Sequence, residues 1–277
     1  MKKKFLFSIL LPTYNSSNFL DQLLESISNQ SMRNFIIITY DDLSDDNTLE
    51  KFSDICSFYK LDYKRINSFK KRIGPKLAYE KLICETETPY LVFCDHDDYW
   101  LPNKLFLHYE HFNKSINKPT LSILNASVVR NDLKETNYSV FDHFKISDKY
   151  FKSKFSMALE NKIPGICMSF NKELKKYIIP FDKNVVMHDW WVLLKSKSMN
   201  VNIVFSKEKC LLYRQHEKNT IGLKNRSKDI SPKRIKSFFI GYKKQAKMVY
   251  SAKIFNFLEY VCFLFLRLFL GIKNSIL

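Results

Sequence analysis

The chain of 277 residues is long enough to bury a full core in one α/β domain, and its 15% aromatic content with only five glycines excludes a disordered or fibrous polypeptide. Lys and Arg outnumber Asp and Glu by 45 to 28, and between Val201 and Leu277 the count is sixteen bases to four acids. So uneven a charge calls for an anionic partner at the C-terminal end, either a phospholipid surface or a nucleic acid.

Met1-Lys2-Lys3-Lys4 followed by Phe5 to Leu11 has the outline of a short secretion signal. Its apolar core is minimal and no small-residue cleavage site follows, so it is read as a first strand that enters a loop at Pro12-Thr13-Tyr14-Asn15. Strands are predicted over Phe7 to Leu11, Phe35 to Tyr40, Asp62 to Ile66, Tyr90 to Phe93 and Leu121 to Leu124. Helices are predicted over Phe19 to Asn29, Asp46 to Tyr59, Pro75 to Cys84 and Pro102 to Phe112. Phe19, Leu23, Leu24 and Ile27 share one helical face, as packing on a sheet requires. The alternation implies a mainly parallel sheet flanked by helices, whose ligands gather at the carboxyl ends of the strands.

Three polar clusters follow such strand ends: Thr13-Tyr14-Asn15, Asp41 to Asp46, and Asp95-His96-Asp97-Asp98. Caps and loops account for part of each, with Asp45 or Asp46 capping the second helix. The adjacent pair Asp41-Asp42 should repel unless a ligand, metal or donor compensates it, and a carboxylate there can accept the imide hydrogen of uracil or thymine. Asp42 is assigned that role. The acidic turn after Phe93 suits Mg²⁺ or Mn²⁺ carrying a diphosphate, with one of Asp95 and Asp97 towards the nucleotide sugar and the other towards the metal. Asp98 reads as the cap of a helix beginning near Leu101-Pro102.

Beyond Asn125 the segment Val128 to Lys149 reads as polar and irregular, Tyr150 to Asn161 as an amphipathic helix, and Pro164 to Phe170 as a turn entering a strand. Met187-His188-Asp189-Trp190-Trp191 puts a carboxylate beside two indoles at a helix start. Burial would make Asp189 a base and the tryptophans a sugar-stacking surface, while a capping Asp and core tryptophans explain the same residues. In Tyr213-Arg214-Gln215-His216, before Asn219-Thr220-Ile221-Gly222, the imidazole suits Mn²⁺ and Arg214 suits diphosphate oxygens, although a lone loop histidine is more often solvated. The six cysteines, with no C-x-x-C pair, read as buried thiols in a reducing cytoplasm.

Together the stretches Ile9 to Asn15, Asp41 to Thr48, Asp95 to Lys104, His188 to Trp191 and Tyr213 to His216 resemble glycosyltransferase family 2, and within it the rhamnosyltransferase-like bacterial branch. The resemblance implies a GT-A fold, an inverting transfer from a UDP- or dTDP-linked sugar, and a Mn²⁺ or Mg²⁺ cofactor. It implies that Pro12, Thr13, Tyr14 and Asn15 border the nucleotide, that Asp42 reads the base, and that Asp95, His96, Trp190 and Arg214 contact the nucleotide sugar. Asp97 and His216 would bind metal, and Asp189 would be the catalytic base. Leu43 stands where the family commonly has Gly, which puts the local turn in question, and His96 where it often has Gln.

Residues 1–225 are expected to form the catalytic domain and 226–277 a basic, apolar helical extension. Between Ile254 and Ile272 the apolar run is interrupted by Glu259 and Arg267, so it suits lying in a membrane interface better than spanning, with the surrounding lysines meeting anionic lipid. Packing on the domain, or on a second copy in a homodimer, is the other reading. A lipid-linked or other cell-surface glycan precursor at the inner face of the cytoplasmic membrane is the expected acceptor. A nucleotidyltransferase would use the same metal site, and a nucleic-acid-binding protein the same basic tail. No nucleic acid is expected as partner, since the acidic rim would repel a phosphate backbone.

Overall fold

The computed structural model describes residues 4–115, 118–216 and 232–276, and the side chains among these outside 232–236 and 271–276. The loop Asn219 to Gly222 and the boundary expected at 225/226 lie outside the described residues. In chain order the first half runs β1 (Phe7–Thr13), α1 (Leu20–Ser28), β2 (Phe35–Asp41), α2 (Thr48–Phe58), β3 (Tyr63–Ile66), α3 (Gly74–Cys84), β4 (Tyr90–Phe93), β5 (Tyr99–Trp100) and α4 (Lys104–Asn113). The second half runs β6 (Thr120–Arg130), β7 (Glu135–Ser139), α5 (Val140–Phe144), α6 (Asp148–Lys152), α7 (Lys154–Leu159), β8 (Met168–Asn171), α8 (Lys172–Ile178), α9 (His188–Ser198), β9 (Asn202–Gln215), α10 (Pro232–Ala252) and α11 (Phe257–Ile276).

One sheet in the order β3-β2-β1-β4-β8-β6-β9-β5 organises the molecule, with β7 paired to β6. Its first four strands are parallel, as the alternation predicts. The parallel arrangement stops there: β8 runs antiparallel to both β4 and β6, while β6 and β9 are parallel to each other. The first strands bury both faces, so β1 reads as a continuous apolar run, whereas β3 at the edge exposes Tyr63, Lys64 and Arg65. Leu20, Leu23, Leu24 and Ile27 of α1 are buried as the period requires.

The segment expected to be irregular is the largest difference. β6 continues to Arg130 and is buried along ten of its residues, and β7 and α5 follow it. Its polar side chains hid an interior strand because Asn125 is satisfied there, donating to Ser139 Oγ at 3.0 Å and accepting from Phe141 N at 3.1 Å. The amphipathic helix expected over Tyr150 to Asn161 is broken in two at Ser153, whose extended backbone and hydroxyl cap α7. Four cysteines are buried, Cys84 and Cys262 are exposed, and all six are free.

Among the described residues no helix is long and apolar enough to cross a membrane. Instead α10 and α11 form a hairpin on the domain. Gln245 Nε2 donates to Ala158 O at 2.6 Å and Tyr260 Oη to Ala246 O at 3.0 Å. Leu258, Cys262, Phe265 and Phe269 make an exposed stripe along α11.

Leu43 lies at φ +64°, in the left-handed region that costs an L side chain about 1 kcal/mol and glycine little. Its side chain is exposed and makes no compensating core contact. Leu43→Gly should therefore raise stability by about 0.5–1 kcal/mol after the unfolded-state entropy of glycine is counted; urea unfolding of the two proteins measures it, and an unchanged or lower midpoint contradicts it.

Candidate active site

Because β2, β1 and β4 are parallel neighbours, their carboxyl ends lie side by side, with Thr13 in register with Asp41 and Leu10 with Phe93. The three polar clusters therefore share one rim. Within it the Asp41-Asp42 pair is compensated by protein donors, one of the three expected means. Asp41 accepts from Thr13 Oγ1 at 2.8 Å, Ser44 Oγ at 2.6 Å and Ser44 N at 2.8 Å. Asp42 accepts from Ile73 N at 2.8 Å and Gly74 N at 2.9 Å, with Arg72 Nε 3.7 Å away. Each Asp42 oxygen keeps a lone pair for an incoming donor.

Beside Asp42 the Arg72 guanidinium lies 3.3 Å from the centre of the Tyr14 ring, making a flat cationic and aromatic surface. Asn15, at φ +47°, donates its amide to Ser44 Oγ at 2.9 Å and accepts from Asp45 N at 3.1 Å. It thus ties the loop after β1 to the loop after β2. Pro12 and Thr13 are the last residues of β1, and the Thr13 hydroxyl is turned inward to Asp41.

At the end of β4, oxygens of Asp95, Asp97 and Asp98 all lie within 4.8 Å of one another. His216, brought by β9, places Nε2 2.9 Å from Asp97 Oδ2. The route is readable in the pairing: β5 joins β9 with Tyr99 opposite Leu212, and Asp98 Oδ1 accepts from Arg214 N at 3.0 Å. Asp98 is therefore not a helix cap, as α4 starts after Asn103 and without a side-chain cap. Burial, then repulsion by Asp97, raises the Asp95 carboxyl above its usual range, and burial with both neighbours raises Asp98. Asp98 Oδ2 is buried with no hydrogen-bond partner among the described residues. A set of crowded carboxylate oxygens, one of them without a donor, together with an imidazole nitrogen fits a hard divalent cation.

Asp189 sits in the first turn of α9 and is 4% exposed. Burial lifts its carboxyl to about 7 against hydrogen bonds from Trp190 N, the Asn161 side chain and the Gly165 backbone, with a smaller upward push from Asp95. The neighbouring His188 is driven down to about 3 by burial alone. Its ring stacks on Tyr79 at 4.0 Å, and the Tyr79 hydroxyl lies 2.7 Å from Asp95 Oδ1. A packed chain of Asp95, Tyr79, His188 and Asp189 thus links the acidic turn to the buried carboxylate.

Two side chains expected at the donor are engaged by protein acceptors. Trp190 does not present a stacking face: it is buried, and its indole donates to Met157 O at 2.7 Å, as Trp191 donates to Ile178 O at 2.8 Å. Arg214 is 4% exposed, with Nη1 donating to Asn131 O at 2.9 Å and Nη2 to Gln22 Oε1 at 2.6 Å. Its fork is engaged by protein acceptors. His96 stays partly exposed at the turn, its ring 6.2 Å from that of Phe19.

Several residues escape sequence reasoning. Phe19, expected on a core face, stacks on His216 at 4.9 Å and lies under the Arg214 guanidinium at 5.2 Å. Lys104 is wholly buried, donating to Ile166 O at 2.5 Å with its ammonium 4.5 Å from the Trp100 ring centre. The run Leu101-Pro102-Asn103-Lys104 contains it without indicating its work. A cavity of about 610 Å³ lies beyond the opposite end of β6 and β9, around Pro119 and Asn202. A second, of about 450 Å³, lies where Lys76 of α3 meets the segment before α9.

Residues 8–171 match the family model described as glycosyl transferase family 2. The chain is 28% identical over 228 residues to the dTDP-rhamnosyl transferase RfbG of Shigella flexneri, covering 76% of this chain and 73% of that protein. It is 31% identical over 143 residues to the poly(ribitol-phosphate) beta-glucosyltransferase of Bacillus spizizenii, where it covers 48% of this chain and only 22% of that longer protein. S. aureus TarS 1-349 in complex with UDP-GlcNAc has a TM-score of 0.60 at 16% identity, over 88% of this chain and 70% of that one. The mannosyltransferase PcManGT from Pyrobaculum calidifontis, in complex with GDP-Man and Mn²⁺, has a TM-score of 0.66 at 12% identity, over 99% and 74%. At these identities the two structures establish a shared GT-A fold.

Two stability measurements follow from the geometry around Asp189. A carboxyl whose folded pKa lies above its unfolded value gives stability that is full below about pH 4 and is lost as pH rises through about 7. Asp189→Asn should gain stability relative to the parent by a few kcal/mol (order of magnitude) over that window, in chemical unfolding series at pH 4 and pH 8. A constant difference across the window contradicts it. A Cβ on Gly165 would stand 2.7 Å from His188 Nε2, and that ring is wedged between Tyr79 and Phe93. Gly165→Ala should lower stability by about 1–3 kcal/mol, read as a shifted denaturant midpoint.

Proposed function

The chain belongs to glycosyltransferase family 2, and on that premise we propose that it moves a sugar, with inversion, from a UDP- or dTDP-linked donor to a hydroxyl of a cell-surface glycan precursor. The observation that carries the reading is the meeting of Asp97 and His216 across 119 positions, beside a buried carboxylate that titrates near neutrality. The named activities of relatives from Shigella flexneri and Bacillus spizizenii support donor and acceptor classes of this kind.

In this reading the nucleobase lies on Tyr14 and Arg72, and Asp42 accepts its imide hydrogen. Asp42 is held for that purpose by two backbone amides, one of them from Gly74 at φ +76°. Asp95 faces the donor sugar, oriented by Tyr79. A bound Mn²⁺ or Mg²⁺ would be held by Asp97, Asp98 and His216 and would neutralise charge growing on the departing diphosphate. Asp189 removes the proton of the acceptor hydroxyl as that oxygen attacks the anomeric carbon. Its desolvation does two things: it keeps water from competing, and it makes the carboxylate a stronger base than an exposed one. The work of Arg214 is to hold β9 through Gln22 and Asn131 and to keep a positive charge near Asp97 and Asp98.

Residues 1–225 are the catalytic domain in this reading, and the helices of 226–277 carry the protein to the cytoplasmic face of a membrane. Their support is the exposed apolar stripe of α11 together with Lys243 of α10 and Lys253 just after it, both exposed.

A panel of UDP- and dTDP-sugars with Mn²⁺, scored by released nucleoside diphosphate, tests the assignment. Asp189→Asn should lose about 10²–10⁴-fold in turnover while binding donor normally. The parent rate should fall tenfold per pH unit below about 7 and level off above it. Asp97→Ala should lose both metal binding and turnover. Parental rates in the two variants, with donor bound normally, would refute these roles.

A further inference from the structure

Lys76, Lys183, Lys244 and Lys247 line one cavity of about 450 Å³, with Asn184, Val185 and Val186 completing its wall and no carboxylate among the lining residues. The lysines come from three segments that are fastened together. Lys76, in the first turns of α3, donates to Val185 O at 3.1 Å; Asn184 Nδ2 donates to Ser251 Oγ at 3.1 Å; Val186 N donates to Met248 Sδ at 3.4 Å. Lys244 and Lys247, three positions apart on α10, share a helical face. Among the described residues none of the four is ion-paired. Asp182, the adjacent acid in sequence, is occupied by its own loop, accepting from Asn184 N at 2.8 Å.

Four lysines lining one concavity with no acid among them repel one another, and an anion relieves that repulsion while gaining charge-assisted hydrogen bonds. The cavity's position says which anion. Val186 precedes Asp189 by three residues, so the wall of the cavity and the proposed base belong to one continuous segment. The cavity also borders α10, whose hairpin partner α11 exposes Leu258, Phe265 and Phe269. A ligand that reaches both would be anionic at its head and apolar beyond it.

We propose that the four-lysine cavity binds a phosphate or diphosphate group of the acceptor, so that the acceptor is a phosphate-bearing, lipid-linked glycan; this rests on the transferase reading above for the word acceptor, not for the binding. Lysines act as mobile point charges, which suits a phosphate presented in more than one orientation.

The test uses the full chain in EDTA, so that no metal bridges phosphate to the acidic turn. Inorganic pyrophosphate is titrated calorimetrically into the parent, into the triple variant Lys183→Ala, Lys244→Ala, Lys247→Ala, and into a charge-matched control, Lys149→Ala, Lys152→Ala, Lys209→Ala. At least tenfold weaker binding in the cavity variant, against no more than twofold in the control, is expected. No binding by the parent, or equal losses in both variants, would overturn the site. A second arm compares phosphatidylcholine vesicles carrying a polyprenyl diphosphate with vesicles carrying phosphatidylglycerol at matched charge. The cavity variant should lose the preference for the diphosphate and keep binding to phosphatidylglycerol; an equal loss of both would make the cavity a bilayer headgroup site and end the proposal. Binding of UDP and dTDP with Mn²⁺, measured on the same proteins, should stay within twofold. A parallel loss there would assign the lysines to the donor, whereas failure of the parent to bind either nucleotide would count against the transferase reading alone.

Discussion

Three carboxylates crowded within 4.8 Å repel, and much of the second half of the molecule is arranged to hold them where they are. The backbone of Arg214 satisfies Asp98, the ring of His216 meets Asp97, and the hydroxyl of Tyr79 meets Asp95. Beneath them lies Lys104, a fully buried ammonium whose charge favours ionised Asp95 and Asp98 and whose hydrogen bond to Ile166 O reaches the segment beside Asp189. A lysine is almost never wholly buried unless something pairs with it. In this fold the acidic turn and the Trp100 ring supply that pairing, and the repulsion that would open the turn becomes attraction towards the core.

The same balance of burial and pairing explains the site's two unlike carboxylates. Asp42 is wrapped in backbone amides, which fix its direction. Asp189 is surrounded by Trp190, His188 and Gly165, and desolvation outweighs its hydrogen bonds. In the proposed reading one recognises and the other exchanges a proton. The distinction comes from environment alone, since the residues are chemically identical.

The parallel half of the fold was legible in the sequence because its signals are local. Apolar runs that stop at Asn, Asp or Thr mark strand ends, and the spacing of Leu23, Leu24 and Ile27 marks a helix. Parallel order then forces the three polar clusters onto one rim. What could not be read depends on partners remote in the chain. Asp41 and Asp42 look uncompensated until Thr13, Ser44, Ile73 and Gly74 are folded around them. Trp190 looks like a binding surface until Met157 O is seen to take its indole proton. Asp98 looks like a cap, because nothing near it announces a strand arriving from position 214. β6 was shortened for a related reason: Asn125 and, on β7, Ser139 are polar letters whose needs are met by each other and by the Phe141 amide. Leu43 is the reverse case, where a departure from the family's glycine marked a left-handed turn that the backbone does adopt.

The pairing of β5 with β9 also sets the order in which the protein becomes competent during its synthesis. Domains fold as the N-terminal end emerges first, and contacts between residues far apart in the chain close slowly. The parallel strands, the base-side rim and the acidic turn all leave the ribosome long before His216 does. Until then the turn lacks both the strand that anchors Asp98 and the imidazole beside Asp97. A nascent polypeptide can therefore fold its parallel half before the acidic turn is complete, and in the proposed reading activity arrives only when the last strand of the sheet is laid in place.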